Sequence, residues 1–578
     1  MTLKSKLRTV LLIMALATLA VLFSACGGGG GNEPEQTTTT APTGQNQPAN
    51  GTQNQPTTGV EPVLCAQTFR GIPYDTVGSL TIMAWSGDDA WRPDLGNQNL
   101  GPGDLGGAMN VAAIYAVARE FNQMFPNITI NLWSQTGSPN RDGIPWVQHR
   151  ANFYMEHGHY PDIFLVTNLV DEIERGLVAD LSIFRDDPRM QVFNQSILEM
   201  MTYQDRLFGL PQYVIPVGVW VNRDLANQQN IDIPPINWTW DQYLAFVGHS
   251  AHEEFYGSLS PPWNIMNSST RDIHYQLSTR GPNDPFVNID TEANRQFVRD
   301  VARIVPHAMW NQRNAGNISD EFMAAHGSSG WRFFRQGTSL TLNVSAYMIS
   351  GAALPGGANE VESPDWDIFP RPSSAHVGNH VGITLDPLAL RNFAGENGVL
   401  TPEAYQQKLI AWEFATFWLI NNQSWEARAN QIFYDSNGAP QRALNPSFSY
   451  ATGETFDRQM EIWGSVPARA RFLDANLMPG WQRVMELFEQ GEFWEVAQQT
   501  FPWTFEFEGG SRAIGHEWWN RHTYAVTGAA EHEPQWVDLA LSLMPEWDRV
   551  INERWAEAFE RLYAAIDRFY PALTRPSN

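Results

Sequence analysis

The sequence predicts an α/β protein with more than one core, in which the chain crosses between lobes near its middle. Three observations carry this. The chain has 578 residues, more than a single core ordinarily organises. Ser79–Ser86, Val111–Phe125 and Ile128–Trp133 read as strand, amphipathic helix and strand, the unit from which parallel sheets are built. From Leu207 to Tyr243 the pattern is an interrupted strand, a turn, a short helix, a Pro-rich break and a new helix start. Leu210, Val214, Val217 and Val219 favour extended backbone, while Pro211 and Pro216 each remove a donor. Such a strand cannot be a plain central one, and it suits a crossing between lobes.

The N-terminus is of a different kind. Lys4, Lys6 and Arg8 precede an apolar run from Val10 to Phe23 that is too short and too terminal to read as a membrane span. Leu22-Phe23-Ser24-Ala25-Cys26 resembles a bacterial lipobox, with Phe23 where Leu is usual. Residues 1–25 are therefore expected to be a lipoprotein signal peptide, and Cys26 the lipidated residue. Residues 26–62, rich in Gly, Thr, Gln, Asn and Pro, cannot bury a core and read as a disordered tether. A tether behind an anchor lets a globular head stand off a membrane.

Composition excludes several functions. The net charge of -25 repels phosphates, so no nucleic-acid partner is expected. Two cysteines, Cys26 and Cys65, cannot staple a secreted scaffold. No phosphate loop of the Walker type and no G-x-S-x-G nucleophile elbow occurs. His149, His157 and His159 are not spaced to share a helix face, so neither a metal nor any other cofactor is expected.

Further along, Gly96–Gly107 carries five glycines and reads as a loop insertion. Pro161–Asn168 reads as a third strand with a polar exit. Asn222-Arg223-Asp224 opens a short helix, and Thr239 or Asp241 caps the next one. Asp290–Trp310 reads as helix, Phe333–Leu342 leads into a strand, Val377–Leu385 is a returning strand and Leu409–Asn421 a strong helix. Phe456–Ile566 reads as helical and Trp-rich.

Several of these segments stand together in a known order. Phe208-Gly209-Leu210-Pro211, Trp220-Val221-Asn222-Arg223-Asp224-Leu225, Ile231-Asp232-Ile233-Pro234-Pro235 and Trp238-Thr239-Trp240-Asp241 resemble the pattern of extracellular solute-binding proteins of family 1, the carbohydrate-type receptors of ABC importers. Pro161-Asp162 with Leu177–Leu181, Phe333–Leu342, Trp366–Pro372 and Gly438–Arg442 continue the resemblance, which covers about Ser79 to Arg442. The family's second-lobe strand usually exits through Gly-Ser/Pro-Trp. Here Asn343-Val344-Ser345-Ala346-Tyr347 replaces it, with the aromatic displaced by one place.

The resemblance implies a two-lobed, periplasmic-binding-protein-like fold of type II. Each lobe would be a mixed, mostly parallel sheet flanked by helices, with a ligand cleft between them. Residues 66–214 and 376–436 would form the first lobe, and 215–375 and 437–578 the second. It implies a monomer without enzymatic activity that closes on a sugar or oligosaccharide, delivers it to ABC permease subunits and is held to the bacterial membrane by its N-terminal lipid. Ligands of open α/β sheets bind beyond the carboxyl ends of strands. Those exits nominate Trp85, Asp88, Asp89 and Trp91, then Thr167 and Asn168, Gln212 and Tyr213 at the crossing, and Asn343 and Tyr347 in the second lobe. Aromatic faces pack on sugar C–H groups, and Asp, Asn and Gln bond hydroxyls. Trp85 serves equally as core, Asp88 and Asp89 as turn residues, and Asn168 as a helix cap. A surface-anchored glycoside hydrolase or lyase, or a receptor for a non-sugar solute, remains the alternative.

Overall fold

The computed structural model describes residues 71–570 apart from 87–98, 102–103, 105–108, 137–145, 167, 260–289, 315, 327–329, 344–347, 358, 375–376, 395–399, 436, 496–503, 508–509 and 514–534. The signal peptide, Cys26, the tether and Cys65 lie outside the described residues.

β1 (Gly78–Ser86), α1 (Met109–Met124) and β2 (Ile128–Thr136) form the expected unit, with β1 and β2 parallel in register from Gly78 opposite Ile128 to Ser86 opposite Thr136. α1 is buried over most of its surface, from Val111 to Ala118 and at Phe121 and Asn122. α2 (Trp146–His157) leads to β3 (Ile163–Leu165) and α3 (Leu169–Glu174). The third strand is shorter than its sequence pattern. Asp162 stands outside the ladder because its carboxylate accepts the Thr81 N–H at 2.9 Å and the Arg391 Nε–H at 2.8 Å. At the other end Asn168 already caps α3.

The interrupted strand proves to be two. β4 (Leu210–Val217) lies in the first sheet, and β5 (Val219–Asn222) lies in the second. Gly218 alone separates them, so the chain changes sheets at one residue. β4 pairs along one side only, which is how it accommodates Pro211 and Pro216. α4 (Arg223–Gln228) follows with Asn222 as its N-cap, and α5 (Trp240–Val247) starts at Thr239 with a complete capping box to Gln242.

The second sheet is completed by β6 (Tyr256–Ser258), β7 (Ser339–Asn343) and β8 (Trp366–Phe369), in the order β8-β5-β7-β6. α6 (Glu292–Ile304) flanks it. This helix ends earlier than its apolar pattern because Pro306 forces a 3₁₀ turn at Val305–His307. α7 (Gly330–Arg335) packs on β7 and sets Trp331 edge-on to Trp220 at 5.0 Å. Trp220 in turn stacks on Trp366 at 5.2 Å.

β9 (Val381–Leu390) brings the chain back to the first sheet, where it pairs with both β3 and β4. It begins and ends later than the pattern at Val377–Leu385. α8 (Pro402–Ile420) and α9 (Asn422–Asn430) then cover the first sheet, and α9 packs on α1. α10 (Gly453–Gly464) and α11 (Pro479–Glu489) are followed by β10 (Phe493–Glu495), the hairpin of β11 (Thr504–Phe507) and β12 (Gly510–Ala513), and the long α12 (Gln535–Phe569).

The expectation of a wholly helical Phe456–Ile566 is therefore corrected. Within 437–578, β10 runs parallel to β9 at the edge of the first sheet. The first sheet reads β10-β9-β3-β1-β2, with β4 on the other side of β9.

The two crossings are tied to each other. Arg371, buried just past β8, donates Nε–H to the Val217 carbonyl at 3.2 Å, and its own N–H bonds the His380 carbonyl at 2.9 Å. Burial pulls its pKa down to about 9. At Gly218 a Cβ would lie 2.6 Å from both Ile368 Cγ2 and the Phe369 carbonyl oxygen. Gly218→Ala is therefore expected to cost about 1–3 kcal/mol by overpacking. Thermal unfolding would read this, and an unchanged midpoint would contradict the close approach.

Candidate ligand-binding site

The site is best read from the strand that crosses. Tyr213 pairs with Asp386 and Pro211 with Pro387, so two steps along β4 match one step along β9. Gln212 is the extra residue of this bulge. Bulges re-aim a side chain and release it from the ladder, and they recur beside functional sites. Gln212 is 2% exposed, yet among the described residues neither its Oε1 nor its Nε2 makes a well-formed hydrogen bond, the Tyr213 hydroxyl being its near polar neighbour. A buried amide left unpaired costs about 1–3 kcal/mol, so a fold retains one for a reason.

Its neighbour is satisfied. The Tyr213 hydroxyl donates to Asn110 Oδ1 at 3.1 Å in the first turn of α1. Burial, with the Asp386 carboxylate nearby, holds that phenol far above its ordinary pKa, so Tyr213 is a fixed neutral donor. The bond joins the crossing strand to the helix that follows β1. Beside Asn110, the Met109 sulfur receives the Ser350 hydroxyl at 4.0 Å. Ser350 follows β7, so this contact links the second sheet's side to the first.

On the second side, Asn343 ends β7 opposite Val219, the first residue after the crossing. Its Nδ2 donates to the Tyr243 hydroxyl at 3.3 Å, and its Oδ1 is buried without a partner. Burial raises the Tyr243 phenol well above its usual pKa. Gln212 on β4 and Asn343 at the end of β7 thus each carry a side-chain amide with unspent hydrogen-bonding capacity.

The other nominated residues fall differently. Asn168 Oδ1 accepts the Asp171 N–H at 3.3 Å, the capping role that its sequence position also allowed. Trp85 is a β1 residue opposite Gln135. Asp88, Asp89, Trp91, Thr167 and Tyr347 lie outside the described residues. Among the described residues no group of three or more His, Cys, Asp or Glu could hold a metal ion, and no helix is long and apolar enough to cross a membrane. Sequence reasoning missed Asn110, Met109 and Ser350. The signal for the first two was available, since a helix start that follows the first strand stands at a strand exit too.

Comparison with known proteins bears on the class. Residues 107–247 match the family model described as bacterial extracellular solute-binding protein. The match spans less than half the chain, but it contains the whole of Phe208 to Asp241 and bears out the resemblance read there. No curated protein matches significantly.

Among solved structures, a sugar transporter from Rhizobium etli in an open conformation is 14% identical, with a TM-score of 0.50 over 82% of this chain and 99% of that one. A designed esterase improved by directed evolution and rational design is 12% identical, with a TM-score of 0.52 over 83% and 100%. An ABC substrate-binding protein from Listeria monocytogenes in complex with cycloalternan is 13% identical, with a TM-score of 0.47 over 85% and 99%. At such identities the likeness is one of fold, the two-lobed α/β fold of periplasmic binding proteins. Over residues 107–247 the chain is thus similar in sequence to the bacterial extracellular solute-binding proteins, and beyond them it shares their fold.

Proposed function

We propose that this chain is a lipid-anchored receptor that binds a sugar or oligosaccharide between its lobes and presents it to the permease of an ABC importer. The carrying observation is Gln212, a buried amide with neither end in a well-formed hydrogen bond, at a bulge in the crossing strand. A carboxamide donates and accepts, and so does a hydroxyl. The Gln212 amide before the crossing and the free Asn343 Oδ1 after it suit a neutral polyhydroxy ligand that touches both lobes. Contacts to both lobes are what shift the population toward closure.

The lobes follow the sheets. The first takes 66–214 and 376–436 together with β10, and the second is built on β5 to β8. Within the site, Gln212 and Asn343 bond ligand hydroxyls, Tyr213 positions the crossing strand, and Trp85, Asp88, Asp89, Trp91, Thr167 and Tyr347 are further ligand contacts. Asn168 contributes as the cap of α3. Lipidation at Cys26 anchors the head outside the cytoplasmic membrane, and no catalysis is involved.

The test is titration of Gln212→Ala and wild-type protein with the same panel of mono- and oligosaccharides by calorimetry. A sugar that binds the wild type and binds the variant about 10- to 100-fold more weakly supports the reading, that ratio being about 1–3 kcal/mol. Equal affinity of both proteins for every bound sugar would refute the assigned site.

A further inference from the structure

The C-terminal helix α12 has no counterpart among the segments that carry the family resemblance, and it touches both lobes. Its last turns are seated on the first. Ala558, Phe559, Leu562 and Ile566 are buried there. The Phe569 ring covers Gly176 so closely that a Cβ on that glycine would lie 2.8 Å from Phe569 Cγ. Tyr570, just past the helix, meets the Phe208 ring edge-on at 4.9 Å and directs its hydroxyl to the Ile173 carbonyl. Arg206, itself paired with Asp180, donates to the Tyr570 carbonyl.

The first turns of the helix lie against α6 of the second lobe. There Arg295 donates to the Leu541 carbonyl at 3.3 Å, and Met544 is fully buried, with Leu541 partly so. From Leu541 to Phe569 the helix runs about 40 Å at ~1.5 Å per residue. One continuous helix, with Pro545 just past the lighter seat, therefore has a dense, aromatic seat on one lobe and a lighter one on the other.

We propose that α12 is a strap that restrains the angle between the lobes, fixed on the first lobe and gripping the second through Leu541 and Met544. Opening or closing must slide or release the lighter seat or bend the helix at Pro545, which lies between the two seats, and each of these works against contacts the helix already makes. The strap narrows the range of lobe angles in the free protein and so sets how far the cleft opens before ligand arrives. This rests on the two-lobe closure proposed above.

The experiment measures the lobe–lobe distance without ligand. Spin labels are placed at Met155→Cys on α2, 85% exposed, and at Asn227→Cys, exposed on α4. The full chain carries Cys26→Ser and Cys65→Ser, and distances are read by double electron–electron resonance. Two strap variants are compared with this background. Met544→Asp ejects the lighter seat, whereas a short Gly-Ser insertion after Trp547 keeps both seats and removes the mechanical link. The distance distribution is expected to broaden about twofold in both, as for a hinge set free. If Met544→Asp does not fold, the insertion variant decides alone. A folded insertion variant with an unchanged distribution overturns the strap. A chain that responds to the insertion but never to any added sugar keeps the strap and removes the receptor reading.

Discussion

Gln212→Leu is expected to make the ligand-free protein more stable and its ligand affinity much lower. The two effects have one cause. In the free protein the Gln212 amide sits 2% exposed with neither end in a well-formed hydrogen bond. Leucine has a similar volume and no polar atoms, so the substitution removes a penalty of about 1–3 kcal/mol at little packing cost. Bound, the amide would bond ligand hydroxyls, and leucine would leave those hydroxyls buried and unpaired. Affinity should fall about 10- to 100-fold or more. Denaturant unfolding of the free variant and calorimetry with the cognate sugar read the two halves separately. A variant less stable than wild type would mean that the amide is satisfied in the free protein and holds the bulge in place. That would remove the main reason for putting the ligand there.

Asp367→Ala is expected to produce the largest loss of stability of any single change considered. Asp367 lies on β8 and is fully buried. Its Oδ2 accepts the Gly480 N–H at 2.8 Å and an Arg223 guanidinium N–H at 3.3 Å. Its Oδ1 accepts N–H groups of Ile368 at 2.7 Å and Trp481 at 3.2 Å. Gly480 and Trp481 begin α11, so the carboxylate sits at the positive end of that helix and fastens it to the second sheet. Alanine would leave the Ile368, Gly480 and Trp481 N–H groups without their acceptor, while Arg223 keeps Asp365 and the Leu477 carbonyl; with each orphaned donor costing about 1–3 kcal/mol, the loss is about 3–5 kcal/mol.

The pH dependence has a definite sign. Burial raises the Asp367 carboxyl from its ordinary 3.8 to about 6, against the opposing pull of Gly480, Arg223, Ile368 and Trp481. Between about pH 4 and pH 6 the folded protein holds a proton that the unfolded chain has released. Stability from this group therefore falls as pH rises through that window and is level above it. Asp367→Asn keeps the shape and cannot ionise, so the variant should lose that slope. Urea titrations of both proteins across the window would show it, and parallel curves would contradict the buried-carboxyl assignment.

Much of this architecture was legible because local chemistry and tertiary placement agree. Pro211 and Pro216 announced a strand that is not a plain central one, and Thr239 or Asp241 announced a helix start, which the structure gives to Thr239. Each cue acts over a few residues, and sequence shows that directly. The misses have a common physical form. β10 was read as helix because three residues, Phe493–Glu495, carry no period of their own. They are a strand only because β9 offers a free edge. Arg371 reads as an ordinary surface cation, and only the second crossing makes it a buried donor to Val217.

The site divides along the same line. Gln212 was named because it follows a strand-like run, but its isolation depends on a bulge that only pairing with β9 creates. Asn168 was equally eligible by position, and the capping bond to Asp171 shows the competing use.

Thermal unfolding of the full chain against a panel of mono- and oligosaccharides, with the sugar recovered and analysed afterwards, bears most directly on the central claim. A ligand that binds only the folded state adds about 2.7 kcal/mol of stability at a hundredfold excess over its dissociation constant. The account predicts a selective rise in midpoint for one class of sugar, its recovery intact, and a much smaller rise in Gln212→Leu. A midpoint indifferent to every sugar, or a sugar recovered as cleavage products, would contradict it.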